Sequence, residues 1–166
     1  PRLVSSAASD VYKRQGLTRY GDDAFALFLR KSFIKGAGYG DDALDRLVIG
    51  IADTSSDFNP CHGNSQELIA QVRAGVLAAG GLPMAFPTIS LHESFAHPTS
   101  MYLRNLMAMD TEEMLKSLPV DAVVLVGGCD KTVPAQVMGA LSANIPFVQL
   151  VTCLLYTSDA ADDTSR

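Results

Sequence analysis

Hydrophobic positions along the chain follow two different spacings, and these predict its secondary structure. Apolar residues recur at helical intervals in four segments and form short apolar runs in four others. The helical segments are residues 22–35, 64–79, 99–118 and 134–143, and the strand-like runs are residues 47–52, 82–88, 122–126 and 146–151. After the first helix, strands and helices alternate strictly. This order predicts an α/β fold, a parallel sheet flanked by helices.

Two of the predicted helices carry signals at particular positions. Asn64 and Glu67 stand three residues apart at the start of the second helical segment, which is the spacing of a capping box. In the third helical segment, Thr111 and Glu113 are typical of the start of a new helix, so we predict a break near Asp110 and Thr111.

The two ends of the chain are related at the level of DNA. Codons can be chosen for residues 5–15 (SSAASDVYKRQ) whose reverse complement, with the frame moved by one base, encodes residues 153–162 (CLLYTSDAAD) and the first two bases of codon 163. The shared sequence resembles the transposase adapter used to prepare sequencing libraries. Residues 1–15 and 153–166 are therefore interpreted as adapter-derived tails without fixed structure. Residues 16–152 are then a partial α/β domain of a longer gene product.

The net charge of the protein limits the kinds of molecule that it is expected to bind. Within residues 16–152, nine Lys and Arg stand against fourteen Asp and Glu, so the net charge is −5, as in the whole chain. A mildly acidic surface argues against binding to nucleic acid or to an anionic membrane. No apolar run approaches the roughly 20 residues that span a bilayer. We therefore expect a cytoplasmic protein that acts on a small molecule.

Residues suited to chemistry gather in the loops that follow the first three predicted strands. Residues 53–63, 90–98 and 127–131 contain every histidine and, once Cys153 is assigned to the tail, both remaining cysteines. Because the carboxyl ends of parallel strands share one edge of a sheet, we expect these loops to converge on one crevice. Thiolates suit a soft metal such as iron, whereas carboxylates in the same loops suit a hard cation such as Mg²⁺.

Simpler interpretations of these residues remain open. A single cysteine is more often a small buried apolar residue than a ligand, and each of the three histidines is equally well explained as an ordinary loop residue. A non-catalytic zinc-binding module, with Cys61, Cys129 and one or two histidines as ligands, is chemically reasonable. The glycine-rich run 36–40 (GAGYG) follows a helix rather than a strand, which argues against a nucleotide-binding loop.

Three motifs carry a resemblance to a known family. They are residues 56–61 (SDFNPC), 78–81 (AAGG) and 128–131 (GCDK), the last followed by Pro134. By these motifs, their order and their separations, residues 49–150 resemble the dihydroxy-acid and sugar-acid dehydratases. These are iron–sulfur hydro-lyases that include the branched-chain dihydroxy-acid dehydratase and the aldonate dehydratases. The likeness covers nearly all of the predicted domain, but only the amino-terminal part of a family member.

The resemblance implies roles for five residues of this chain. Cys61 and Cys129 would be two of the three thiolate ligands of a [2Fe-2S] cluster, the third lying further along a family member's chain. Asp130 would bind Mg²⁺ directly, and Lys131 would bind it as a carbamate at the catalytic centre. Glu93 falls where the family places another magnesium carboxylate.

At two places the chain departs from the branched-chain members of the family. Those enzymes tend to have Asn after the first cysteine and Ser-Asp-Gly in the loop after the second strand. This chain has His62 and residues 92–94 (HES) instead. The departure is more similar to the sugar-acid members, so it predicts a sugar acid rather than a precursor of valine or isoleucine as the substrate.

The reaction that the resemblance implies is the dehydration of a 2,3-dihydroxy carboxylic acid to a 2-keto-3-deoxy acid. Mg²⁺ would stabilise the enolate-like charge that develops as the C2 proton leaves, and a cluster iron would act as a Lewis acid on the C3 hydroxyl. The family's base is a serine in the carboxyl-terminal part, so this chain alone is expected to be inactive. The resemblance also implies a homo-oligomer for the full-length protein.

Overall fold

The computed structural model of the protein describes residues 22–152. The bounds of its main elements are α1 Asp23–Gly36, β1 Val48–Asp53, α2 Ser65–Ala78, β2 Leu82–Pro87, α3 Ser100–Ser117, β3 Ala122–Gly127, α4 Thr132–Ala143 and β4 Phe147–Val151. Each element that the hydrophobic pattern predicts is present, with its ends within two residues of the prediction. The predicted tails, residues 1–15 and 153–166, lie outside the described residues. Within residues 22–152, none of the helices has the length and apolar character needed to cross a membrane.

The four strands form one parallel sheet in the order β2-β1-β3-β4, which confirms the predicted fold class. Ile51 of β1 pairs with Ala85 of β2 on one side and with Val124 of β3 on the other, and Val124 pairs onward with Val148 of β4. The chain passes from β1 to β2 on one side of β1, and then crosses back to form β3 and β4 on the other side. The loops that leave β1 and β3 therefore diverge, and a crevice opens between them at the carboxyl edge.

The apolar core occupies both faces of the sheet, because successive side chains of a strand point to opposite faces. On one face, Leu125 of β3 belongs to a cluster with Leu115 of α3 and Ala140 of α4. On the other face, Ile51 of β1 packs with Ile69 of α2. The sheet is thus fixed between α2 on one side and the α3–α4 pair on the other, which holds its carboxyl edge in place.

Helix α3 runs without interruption from Ser100 to Ser117, so the predicted break at Asp110 and Thr111 is wrong. Thr111 is buried, and its hydroxyl donates to the carbonyl of Met107 at 2.9 Å, one turn back in the same helix. The Asp110 carboxylate accepts from the backbone N–H of Ile89 at 2.7 Å, in the loop after β2. These polar side chains hold the helix and an adjoining loop instead of capping a new helix.

Helices α2 and α4 differ from the prediction at their N-termini. Asn64 is the N-cap residue of α2, but its side chain makes no capping hydrogen bond, so the predicted capping box is wrong. Its ψ angle of 6° is not extended, because Asn64 follows directly on the 3-10 turn Pro60–His62 and Gly63. An extended N-cap is what normally directs the side chain at the helix N–H groups. Helix α4 begins at Thr132, two residues before the predicted start at Pro134.

Helices α3 and α4 approach each other closely at Gly139. A Cβ atom on Gly139 would lie 2.6 Å from the carbonyl oxygen of Ala108 and 2.8 Å from the Cβ of Thr111. Only glycine fits here without movement of one backbone, since such distances are well inside van der Waals contact. The close packing holds the second half of α4 against α3.

Candidate metal centre

Cys61 and Cys129 lie on the two loops that flank the crevice between β1 and β3. Cys61 belongs to the 3-10 turn Pro60–His62 ahead of α2, and Cys129 lies between β3 and α4. The loop between β2 and α3 adds His92. The Sγ atoms of both cysteines and a ring nitrogen of His92 all lie within 4.8 Å of one another, and all three residues are half-buried. The predicted convergence of the three loops on one crevice is confirmed.

The two sulfur atoms and the imidazole are a suitable donor set for a soft metal centre. Neither cysteine is joined in a disulfide. A tetrahedral metal with bonds of about 2.3 Å to sulfur and 2.0–2.1 Å to nitrogen would hold its donors roughly 3.5–3.8 Å apart. The three donor atoms lie within 4.8 Å of one another, which is close to that spacing. Thiolate and imidazole donors favour zinc and iron over hard cations.

Hard donors adjoin the soft ones. The Nζ atom of Lys131 lies 2.7 Å from Oδ2 of Asp130 and 3.9 Å from Oε2 of Glu93. Asp130 and Lys131 directly follow Cys129, and Glu93 directly follows His92. Each of these two loops therefore supplies a soft donor and a hard donor in consecutive residues. Carboxylate oxygens are the ligands that Mg²⁺ prefers, so the crevice combines both kinds of donor.

The charges of the hard donors stabilise one another. The hydrogen bond to Asp130 raises the pKa of the Lys131 ammonium above its ordinary value, and the charges of Asp130 and Glu93 add to the effect. The pKa of Glu93 is lowered, chiefly by the hydrogen bond from the Ser100 hydroxyl, with Thr99 contributing next. The backbone N–H of Ser100 also donates to Glu93 at 3.0 Å. At neutral pH one cation therefore lies between two carboxylates, at the N-terminus of α3.

His62 is a buried connector between loops. Its Nε2 accepts from the backbone N–H of Gly128 at 2.8 Å, so the neutral ring carries its proton on Nδ1. Nδ1 lies 2.8 Å from both the carbonyl oxygen of Thr54 and the hydroxyl oxygen of Ser90. The ring is 2% exposed and joins the loops that follow β1, β2 and β3. With both nitrogens engaged in this way, His62 serves the spacing of the loops and is not placed as a ligand.

Asn59 reinforces the same three loops from its buried position next to Pro60. Its Nδ2 donates to Oγ of Ser90 at 3.2 Å and to the carbonyl of Leu91 at 3.3 Å. Its Oδ1 accepts from the thiol of Cys129 at 3.6 Å. Asn59 thus positions one of the two sulfur atoms directly.

Cys129 occupies an unusual backbone conformation. Its φ angle is +68°, in the left-handed region. For a residue with a Cβ atom this conformation costs about 1–2 kcal/mol. The sharp turn sits between β3 and α4, next to Gly128, whose N–H is held by His62. Backbone strain of this kind is concentrated at functional sites, where the surrounding contacts maintain it.

The structure separates the candidate residues into two sets. Cys61, Cys129, Glu93, Asp130 and Lys131 all lie at the crevice, and His92 joins them. His97 and Asp57, in the same loops, are exposed and belong to neither donor group.

The polar residues that position the loops were not predicted from the sequence. Among these, the Thr54 hydroxyl donates to the carbonyl of Val126 at 2.8 Å, and the Thr152 hydroxyl donates to the carbonyl of Cys61 at 2.8 Å. Both threonines directly follow a strand and are buried. A polar residue at the end of an apolar run was the signal that could have identified them.

The fold and the crevice define a class: an α/β domain with soft and hard metal donors at a topological switch point. The model of the dihydroxy-acid/6-phosphogluconate dehydratase N-terminal family matches residues 46–160. The chain belongs to this family, as the motifs predicted. The match extends beyond Thr152 into a segment interpreted as adapter-derived, so the boundary of that tail stays a prediction.

The names of similar proteins agree with the family assignment. The chain is 42% identical over 130 residues to an L-arabinonate dehydratase of Rhizobium leguminosarum, covering 78% of this chain and 22% of the relative. It is 43% identical over 122 residues to an L-arabonate dehydratase of Azospirillum brasilense, covering 73% and 21%. A dihydroxy-acid dehydratase of Clostridium botulinum is 37% identical over 124 residues, covering 72% and 22%. The chain spans about a fifth of the length of these relatives.

Proposed function

We propose that this chain is part of a hydro-lyase that dehydrates a 2,3-dihydroxy carboxylic acid to a 2-keto-3-deoxy acid. The observation that carries the proposal is the close association of two donor groups in one crevice. Cys61, Cys129 and His92 form the soft group, and Asp130 and Lys131 form a hard group directly beside it. Removing a C2 proton and a C3 hydroxide from one substrate calls for two different kinds of electrophile side by side.

The donors present are suited to a [2Fe-2S] cluster and to Mg²⁺. Cys61 and Cys129 would hold the cluster, together with a third thiolate from outside this chain. Glu93, Asp130 and Lys131 would hold Mg²⁺. When bound, these groups supply Lewis acidity toward the leaving hydroxyl and stabilise the enolate-like charge on the substrate.

The role proposed for Lys131 requires a change in its charge. Carbamate formation needs the neutral amine, whereas the hydrogen bond to Asp130 favours the ammonium. When a cation binds Asp130, that hydrogen bond is lost. The cation then neutralises the negative charge of Asp130, which no longer stabilises the ammonium form of Lys131. We therefore expect carbamylation of Lys131 and cation binding to depend on each other.

We infer a sugar acid as the preferred substrate. Support comes from His62 and the loop 92–94, which are more similar to the sugar-acid members, and from the higher identity to the L-arabinonate and L-arabonate dehydratases than to the dihydroxy-acid dehydratase. The proposed reaction takes place in the cytoplasm on a small anionic molecule. It involves neither nucleic acid nor membrane, and the full-length protein acts as a homo-oligomer.

The test is anaerobic reconstitution of the full-length protein with iron, sulfide and Mg²⁺. We expect a visible iron–sulfur absorption and formation of a 2-keto acid from L-arabinonate or D-xylonate, with slower turnover of a branched dihydroxy acid. This chain by itself should give no turnover. A colourless protein without dehydratase activity after reconstitution would overturn the proposal.

The Cys-His-Cys donor group also supports a second candidate, a non-catalytic zinc-binding module. The two candidates differ in the metal that the protein retains. Purification without added metal, followed by elemental analysis, separates them. Stoichiometric zinc without sulfide favours the module, whereas iron and sulfide in equal amounts favour the hydro-lyase.

A further inference from the structure

His92 is the histidine that faces the cysteine pair. One of its ring nitrogens lies within 4.8 Å of the Sγ atoms of Cys61 and Cys129, and its side chain is half-buried. His62, by contrast, has both ring nitrogens engaged by the loops around it. Of the histidines at this crevice, His92 is therefore the one whose imidazole is available to a metal centre bound by the two sulfurs.

A hydrogen bond from the backbone determines which ring nitrogen of His92 carries the proton. Its Nδ1 accepts a hydrogen bond from the backbone N–H of Ser94 at 3.2 Å. A neutral imidazole that accepts at Nδ1 carries its proton on Nε2. The lone pair of Nδ1 is used within the loop, and Nε2 presents an N–H group. In this tautomer the ring is suited to donating a hydrogen bond to sulfur. Binding a metal through Nε2 would move the proton to Nδ1 and so require loss of the hydrogen bond from Ser94.

Two aromatic rings lie near the imidazole of His92. The Phe95 ring lies 6.2 Å from that of His92, tilted by 51°, and Phe58 packs edge-on against Phe95 at 6.0 Å. Both phenylalanines come from loops of the crevice, one after β1 and one after β2. Both phenylalanine side chains are largely exposed, so they border the imidazole on one side only.

We propose that His92 donates an Nε2–H hydrogen bond to the sulfur atoms of the centre held by Cys61 and Cys129, and so tunes its electronic properties. The inference rests on the proposed function, since it presumes an iron–sulfur cluster at the cysteine pair. Hydrogen bonds to the sulfurs stabilise the more negative, reduced state and raise the reduction potential of a cluster. His92 is thus a positioning and tuning residue next to Glu93, which serves the hard-donor group.

The experiment compares four reconstituted full-length proteins: wild type, His92→Ala, His92→Gln and His97→Ala. The midpoint potential of the cluster is measured by a redox titration followed by electron paramagnetic resonance. We expect a lower potential in His92→Ala, partial restoration in His92→Gln, which keeps an N–H donor, and no change in His97→Ala. His97 is the matched control because it is an exposed histidine of the same loop.

Pulsed resonance spectra of the reduced cluster provide the second readout. A hydrogen-bonded His92 gives a weak ¹⁴N coupling that disappears in His92→Ala, whereas a directly bound imidazole gives a strong one. A strong coupling, or an unchanged potential in His92→Ala, would overturn the inference while leaving the hydro-lyase intact. Failure of the wild-type protein to take up any cluster would instead overturn the proposed function.

Discussion

The imidazole of His62 accepts a hydrogen bond from the backbone N–H of Gly128 at 2.8 Å, across 66 positions of sequence. Each partner is the immediate neighbour of a cysteine of the donor group, Cys61 in one case and Cys129 in the other. This buried contact therefore joins the two loops that carry the sulfur atoms. The opposite side of the ring lies 2.8 Å from the carbonyl oxygen of Thr54, which completes the link between the β1 and β3 loops.

Replacing His62 should destabilise the protein. His62→Ala leaves the Gly128 N–H and the Thr54 carbonyl buried without their partner and creates a cavity, at an expected cost of about 2–4 kcal/mol in the free energy of unfolding. Urea denaturation measures the change. His97→Ala, an exposed histidine of the neighbouring loop, should stay near wild type. A loss of less than 1 kcal/mol (roughly the size of a surface substitution) in His62→Ala would contradict the connecting role.

Two substitutions at Cys129 distinguish the free-energy cost of its backbone conformation from the contribution of its sulfur atom to metal binding. Cys129→Ala keeps the left-handed strain at φ +68°, whereas Cys129→Gly relieves it. We expect the glycine variant to be more stable than the alanine variant by about 1 kcal/mol. Both variants should lose the soft metal centre. Thermal unfolding and iron analysis of the two variants test this, and equal stabilities would show that the turn is not strained.

The contact between α3 and α4 predicts opposite effects for two Gly→Ala substitutions. Gly139→Ala forces a Cβ to within 2.6 Å of the Ala108 carbonyl oxygen and should destabilise by about 1–3 kcal/mol. Gly75→Ala, in the exposed interior of α2 with nothing within 4 Å of the new Cβ, should stabilise by about 0.5–1 kcal/mol. Chemical denaturation of both variants gives the signs. A destabilisation at Gly75 as large as that at Gly139 would argue against the close helix contact.

Glu93 should contribute to stability in a pH-dependent way. Its pKa is lowered below the ordinary value of 4.5, first by the hydrogen bond from the Ser100 hydroxyl, so folding favours the carboxylate. The stabilisation is therefore present above the unfolded-state pKa and is lost as the pH falls through the lower, folded-state pKa. Glu93→Gln should be less stable than wild type at pH 7, and the difference should shrink in acid.

Urea unfolding at several pH values tests the Glu93 prediction. Asp57→Asn removes an exposed acid of another loop at the crevice and serves as the control. A difference between wild type and Glu93→Gln that is the same at neutral and acidic pH would show that the charge of Glu93 is not what stabilises the start of α3.

A substitution of Lys131 tests whether this residue binds Mg²⁺ as a carbamate. Lys131→Arg retains a cation beside Asp130 but cannot form the carbamate, because a guanidinium stays protonated at any ordinary pH. We expect weaker Mg²⁺ binding in Lys131→Arg, measured by calorimetry, and no dependence of that binding on added bicarbonate. Wild type should bind Mg²⁺ more tightly when bicarbonate is present. Bicarbonate-independent binding in wild type would exclude carbamylation of Lys131.

Local sequence patterns were sufficient to predict the helices that bury one apolar stripe and the strands that form one apolar run. Residues 47–52 and 122–126 are short apolar runs rich in β-branched residues, and both became central strands. The predicted break at Asp110 and Thr111 failed because the same polar side chains that begin a helix can also bind backbone groups of a loop or of the preceding turn. Which of these they do depends on neighbours that are distant in sequence.

The amino-acid sequence was enough to predict the order of strands and helices, the three loops at the crevice and, through its motifs, the family. These follow from residue spacing, which is local. The different positions of His62, which connects loops, and His92, which faces the sulfur atoms, emerge only in the folded chain, although each histidine precedes or follows a candidate ligand. The physical reason is that a ring nitrogen takes its role from the donor or acceptor it meets, and for His62 those groups lie as far away as Gly128.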